Sequence, residues 1–167
     1  MLTGRTSNKL KIINDPVYGF IRIPTEIHYD IIQHPYFQRL RRLRQLGLSF
    51  YVYPGATHTR FDHVLGAMYL MTVALRELEM KGLQIREEER NAAITAILLH
   101  DIGHGPLSHS LEGCFMKHVG HEDLSIMFME ELNKEFDFKL SLGIEIFKNS
   151  YEKRYLHDLV SGQLDMD

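Results

Sequence analysis

Residues 87–106 read EEERNAAITAILLHDIGHGP, and this stretch decides the fold class. Glu87, Glu88 and Glu89 supply an acidic first turn, where the positive end of a helix dipole favours carboxylates. The interior, Ala92 to Leu99, is apolar, and Gly103, Gly105 and Pro106 end the helix. Working upstream, Val64, Ala67, Met68, Met71, Ala74, Leu75 and Leu78 recur at intervals of three and four, which predicts a long amphipathic helix that Gly82 breaks. Before it, Gly47, Ser49, Pro54, Gly55 and Thr57 mark a loop. A helix is expected over Glu26 to Gln33, interrupted at His34-Pro35, and a second from about Tyr36 to Arg44. At the start of the chain, Lys9 to Ile13 and Gly19 to Ile23 are β-prone runs flanking Asn14-Asp15-Pro16-Val17-Tyr18, the pattern of a small hairpin. Downstream, shorter helices are expected around Leu107 to Phe115, Glu122 to Phe136, Leu142 to Asn149 and Tyr155 to Gly162. The fold class is therefore mainly α with a small N-terminal β-hairpin, residues 1–167 forming one domain.

The composition supports a single globular unit. The 167 residues are 44% hydrophobic and 25% charged, enough to bury a core and incompatible with disorder. A net charge of -3 gives no bulk attraction to nucleic acid or anionic membrane, so any anion-binding role must come from a local cluster. The longest strongly apolar run, Ala92 to Leu99, falls far short of the ~20 residues a membrane span requires. Cys114 is the sole cysteine and is read as a packed thiol. With no apolar leader in MLTGRTSNK, a cytoplasmic location is expected. Histidine is the unusual component: ten in all, five of them between His100 and His121.

Polar side chains on faces that should be apolar point to a site. His63 shares a stripe with Ala67, Leu70 and Ala74, His100 with Ala93, Ala96 and Ile97, and Asp101 with Ile94, Ile97 and Leu98. An unpaired buried carboxylate costs several kcal/mol, so Asp101 needs a cation, a protonated imidazole or a set of donors. A metal would satisfy all three residues, whereas a lone His-Asp dipeptide is more often a buried hydrogen-bonded pair. His109 and Glu112, three apart, share a face on a helix, so the carboxylate can orient the imidazole, although such pairs are also common surface contacts. His121 begins a helix on the stripe of Leu124, Ser125 and Phe128. Arg39, Arg41, Arg42 and Arg44 form a dense basic cluster that by itself reads as a solvated helix face. His28, His34, His58, His118 and His157 are assigned no role.

Taken in order, Arg60-Phe61-Asp62-His63, then His100 through His109, then His121-Glu122 resemble the HD-domain phosphohydrolases. The runs Lys11 to Pro16, Phe37 to Arg41, Gln45-Leu46-Gly47 and Tyr53 to His58 resemble more closely the SAM-and-HD-domain deoxynucleoside triphosphate triphosphohydrolases and their bacterial relatives. The likeness spans about Lys9 to Asp167 and is weakest between Phe128 and Tyr155. It implies an HD-domain helical bundle that cleaves deoxynucleoside triphosphates to deoxynucleoside and triphosphate. His63, His100, Asp101 and Asp167, the last in preference to Asp165, match the ligands of a divalent metal, which for such a donor set is Fe, Mn, Zn, Ni or Mg. His109 matches the proton donor to the leaving oxygen and Glu112 its orienting partner, where close relatives usually carry Asp. His121, His104 and Arg60 match positions that hold the triphosphate, and Gln45 and Leu46 match those lining the deoxyribose. Lys11, Gln38 and Arg41 match a regulatory nucleotide site between subunits, which implies a homo-oligomer. Gln33 stands where the animal enzyme has an aspartate that reads guanine. Two alternatives remain at this level: a phosphatase or phosphodiesterase on another nucleotide, and a nucleotide-binding or nucleic-acid-binding oligomer with a vestigial site. The resembling enzymes continue past the position of Asp167, so the chain is expected to be a truncated piece in which Asp167 is displaced from the metal and hydrolysis is weak or absent.

Overall fold

The computed structural model describes residues 11–107, 120–163 and 165–167. Two strands, β1 (Ile12–Asp15) and β2 (Gly19–Arg22), pair antiparallel in the register Ile12 to Arg22 through Asp15 to Gly19. The turn is tighter than expected, because Asn14 and Asp15 belong to the strand. Asp15 Oδ1 accepts from the N–H groups of Val17 and Tyr18 at 2.8 Å each, and Gly19 takes φ +72°, where a Cβ would be strained. Ile21 is fully buried and Tyr18 meets the Tyr69 ring at 4.9 Å, which docks the hairpin on the helical part.

The first helix, α1 (Glu26–Gln33), starts at Thr25, whose hydroxyl accepts from the His28 N–H at 3.4 Å. His34 is extended and Pro35 opens α2 (Pro35–Gln38). The helix expected from Tyr36 to Arg44 is corrected here: after one α turn the chain tightens into a 3-10 turn, Arg39–Arg42, and leaves helical geometry at Leu43. From there it pairs with the segment before the next helix. The Arg60 N–H donates to Leu43 O at 2.8 Å and Gln45 N–H to His58 O at 3.2 Å, so those backbone groups are satisfied without a helix. The intervening loop contains one 3-10 turn, Ser49–Tyr51.

The long helix α3 (Arg60–Met80) opens with a capping box in which Thr59 and Asp62 satisfy each other's backbone N–H. The helix α4 (Glu87–Leu99) is buried along all of Ala92 to Leu99 and packs against α3 on one side. On the other lies α6 (Ser141–Phe147), where a Cβ on Gly143 would stand 3.1 Å from Ala92 O. Before it comes α5 (His121–Glu135), and α7 (Arg154–Asp158) follows. Leu107, expected to open a helix, instead has φ +53° in a turn. The rest of that expected helix, with His109, Glu112 and Cys114, lies outside the described residues, as does His118. The core runs through Ile31, Phe37, Leu65, Met68, Ile94 and Ile97. Among the described residues, no helix is long and apolar enough to cross a membrane.

Candidate metal centre and active site

The capping box of α3 places His63 in its first turn, and α4 delivers His100 and Asp101 at its C-terminal end. His100 caps the helix and Asp101 begins the turn beyond it. One donor atom from each of His63, His100 and Asp101 lies within 4.8 Å of the others. The two imidazoles face each other with 3.3 Å between their Nε2 atoms, while Asp101 approaches His63 at 3.8 Å and His100 at 3.6 Å. Asp167 does not stand apart as expected. Its Oδ1 lies 2.6 Å from His63 Nε2 and 3.1 Å from His100 Nε2.

The donor chemistry fits a cation. His100 Nδ1 lies 2.6 Å from Ile97 O, and donating its proton there leaves Nε2 as a lone pair aimed at the other three groups. Facing nitrogens and carboxylate oxygens repel unless a proton or a metal lies among them. Without a metal the cluster recruits protons. Burial opposes charge on His100, but Asp167 and Asp101 outweigh it and raise its pKa. Burial likewise works against ionised Asp101, yet His100, His104, Arg60 and His63 hold its carboxyl below the usual range. Hydrogen bonds from His100 and His63 hold the Asp167 carboxyl well below the usual range.

Arg60 is buried and donates Nη1 to Asp101 Oδ2 at 2.5 Å. The other Asp101 oxygen lies 3.2 Å from His104 Nδ1, and the His104 ring lies against His121 at 4.4 Å. The turn carrying these groups is held by Ser125 and by Arg39. On α5, Ser125 donates its hydroxyl to His100 O at 2.8 Å and accepts from Gly103 N–H at 2.9 Å. This approach requires glycine, since a Cβ on Gly103 would come within 2.3 Å of Ser125 N and 2.4 Å of His121 O. Arg39 also donates to the carbonyls of Ile102 and His104, which corrects its reading as part of a solvated face.

A cavity of about 430 Å³ opens beside His100, Asp101 and Asp167, with Gln45, Arg60, His104 and His121 in its wall. Gln45 Oε1 is buried there without a hydrogen-bond partner among the described residues. Leu46 is not part of this wall and is half exposed. Residues that the sequence left without a role complete it, notably Lys148 and His157. His157 reaches Ile146 O through Nδ1 at 3.1 Å, and Lys148 pairs with Glu130 at 2.5 Å. Neither sits on a stripe shared with the other histidines, so no pattern in the sequence singles them out. A second cavity, about 680 Å³, lies across His63 and Asp167, beneath the hairpin turn.

Of the three residues matched to a regulatory nucleotide, two meet. Arg41 Nε donates to Gln38 Oε1 at 2.8 Å, and the Arg41 guanidinium lies 3.5 Å from the Phe61 ring centre. Lys11 lies over Tyr29 of α1 at 4.6 Å.

The chain resembles several known proteins. The uncharacterized protein YwfO of Bacillus subtilis is 34% identical in an alignment 172 positions long that covers 98% of this chain and 39% of that protein. Human deoxynucleoside triphosphate triphosphohydrolase SAMHD1 is 41% identical over 131 residues, 74% of this chain and 21% of its own length. The crystal structure of a phosphohydrolase from Bacteroides thetaiotaomicron matches with a TM-score of 0.92 and 59% identity, over 95% of this chain and 39% of that one. The chain thus spans between about a fifth and two fifths of the length of these relatives. The family model described as HD domain matches residues 60–159, from Arg60 at the head of α3 past His100 and Asp101 to the end of α7, and the chain belongs to the HD domain family.

Proposed function

We propose that this chain is the catalytic domain of a metal-dependent phosphohydrolase that cleaves deoxynucleoside triphosphates into deoxynucleoside and triphosphate. The observation that carries the reading is the meeting of His63, His100, Asp101 and Asp167 at the edge of a cavity whose wall holds Arg60, His104 and His121. Cationic and imidazole groups on one side and a carboxylate-imidazole cluster on the other are what a polyphosphate and a divalent cation would require together. The similarity to human SAMHD1, whose name states that activity, supports the substrate class.

His63, His100, Asp101 and Asp167 would hold a divalent ion, which when bound would supply Lewis acidity toward a phosphoryl oxygen and lower the pKa of a bound water. Arg60 keeps the Asp101 carboxylate ionised and oriented. His104 and His121 face the phosphates, and Gln45 offers its free carbonyl oxygen to a sugar hydroxyl. Water forms the new bond to the α-phosphorus as the bond to the 5′ oxygen breaks, and His109, oriented by Glu112, gives that oxygen its proton. Lys11, Gln38 and Arg41 form part of a regulatory nucleotide site at a contact between copies.

The test is to incubate the full-length protein with each dNTP and Mn²⁺ or Fe²⁺ and identify the products. Deoxynucleoside and inorganic triphosphate are expected. Orthophosphate and dNDP alone would overturn release of triphosphate and favour a phosphatase acting on the terminal phosphate.

A further inference from the structure

We infer that Arg39 is a positioning residue for the metal centre, setting the turn that presents His100, Asp101 and His104. The inference rests on the reading of His63, His100 and Asp101 as metal-holding. Past Leu99 the helix gives way to turns in which Ile102 N–H donates to Leu99 O and His104 N–H to Asp101 O, both at 3.1 Å, and the turn from His100 to His104 must nevertheless hold two donor side chains in register. Arg39 supplies what the helix no longer can. Its Nη1 donates to His104 O at 2.7 Å and its Nη2 to Ile102 O, so one planar fork spans two carbonyls of the same turn.

The fork is itself fixed. Its guanidinium stands 5.3 Å from the Phe128 ring of α5, and the 3-10 turn beneath it is anchored by buried Leu40. Ser125 grips the same turn through His100 O and Gly103 N–H. The turn is therefore held by side chains from two segments of the chain, one of them more than sixty residues away in sequence. Lysine could not replace this grip, because a single ammonium on a flexible stem does not present two parallel donors. The arginines beside it do different things: Arg41 lies over Phe61, and Arg44 donates to Thr57 O.

The experiment measures Mn²⁺ affinity of the metal-stripped full-length protein by calorimetry, together with its thermal midpoint without metal. Arg39→Ala is expected to weaken Mn²⁺ binding by about tenfold or more, the range for residues that orient metal ligands. Arg39→Lys is expected to fall between the two. Arg44→Ala serves as the control for general loss of stability and is expected to keep its Mn²⁺ affinity within about twofold. Unchanged affinity in Arg39→Ala, or an equal loss in Arg44→Ala, overturns the inference. If Arg39→Ala yields no folded protein, Arg39→Lys decides, and wild-type affinity in that variant overturns it. A wild-type protein that binds no Mn²⁺ overturns the metal reading and this inference with it. Binding by the wild type without dNTP hydrolysis overturns only the proposed substrate.

Discussion

Asp101 is 5% exposed and meets Arg60 at 2.5 Å, His104 at 3.2 Å and His100 at 3.6 Å. Its carboxylate therefore serves two partners at once, the buried guanidinium and the imidazole cluster. Asp101→Asn keeps the shape and removes the charge, which leaves Arg60 buried without a counter-ion. A loss of about 3–5 kcal/mol is expected from unfolding measurements, together with loss of Mn²⁺ binding in calorimetry. A variant as stable as the parent would show that Arg60 finds another partner. His28 behaves in the opposite way. It is fully buried beneath Asn91 and Thr95, and burial lowers its pKa to about 4 although the Asn91 carbonyl works the other way. The unfolded chain binds that proton near the ordinary value of 6.5. Between these two values the unfolded state holds more protons, so stability is complete above the upper one and falls as the pH drops toward the lower one. His28→Gln should flatten the thermal midpoint between pH 6.5 and pH 4 relative to the parent. An unchanged slope would assign the acid sensitivity to other groups.

At the scale of elements, two glycines allow α4 and the turn after it to be approached closely, with different tolerances. A Cβ on Gly143 would lie 3.1 Å from Ala92 O and Thr95 Cγ2, a tight contact that small shifts of α6 can relieve. A Cβ on Gly103 would meet the backbone of α5 at 2.3 and 2.4 Å. Relief there requires moving the start of α5, which carries His121 and Ser125. Gly143→Ala is expected to cost about 1 kcal/mol and Gly103→Ala about 3 kcal/mol or more, the lower and upper ends of overpacking costs. Only Gly103→Ala should also weaken Mn²⁺ binding. Equal effects of both on stability and on metal affinity would contradict this account of the turn.

For the whole molecule, a metal held between α3, the end of α4 and Asp167 ties distant parts of the chain together, so binding should stabilise the fold. Adding Mn²⁺ at a hundred times its dissociation constant to chelator-treated protein is expected to stabilise it by about 2.7 kcal/mol. A midpoint indifferent to Mn²⁺ would show that the ion binds the folded cluster no more tightly than it binds the unfolded chain. The proposed contact between copies has its own test. Arg41→Glu removes the cation from the Phe61 ring and reverses the charge beside Gln38, and should abolish both assembly and any dependence of activity on a second nucleotide. If sizing by light scattering and the activity profile are unchanged, Arg41 is a packed surface residue.

Local signals carried the reading far. The acidic start and apolar interior of residues 87–99, the spacing of apolar residues from Val64 to Leu78, and the break at His34-Pro35 depend on neighbours within a few residues, and α4, α3 and α1 stand where those signals put them. His63, His100 and Asp101 were legible for the same reason, as polar groups on faces that had to be buried. The short 3-10 turn of Arg39–Arg42 was not, because it forms where Leu43 to Gln45 pair with His58 to Arg60 across a loop. Arg39 could not be separated from Arg41, Arg42 and Arg44 by spacing, since carbonyls at Ile102 and His104 make the distinction. His157 and Lys148 reached the cavity wall only through the docking of α6 and α7. Sequence periodicity states which side of a helix is buried. Which distant backbone or side chain it is buried against depends on long-range contacts, and those decided the clamp, the cavity wall and the place of Asp167.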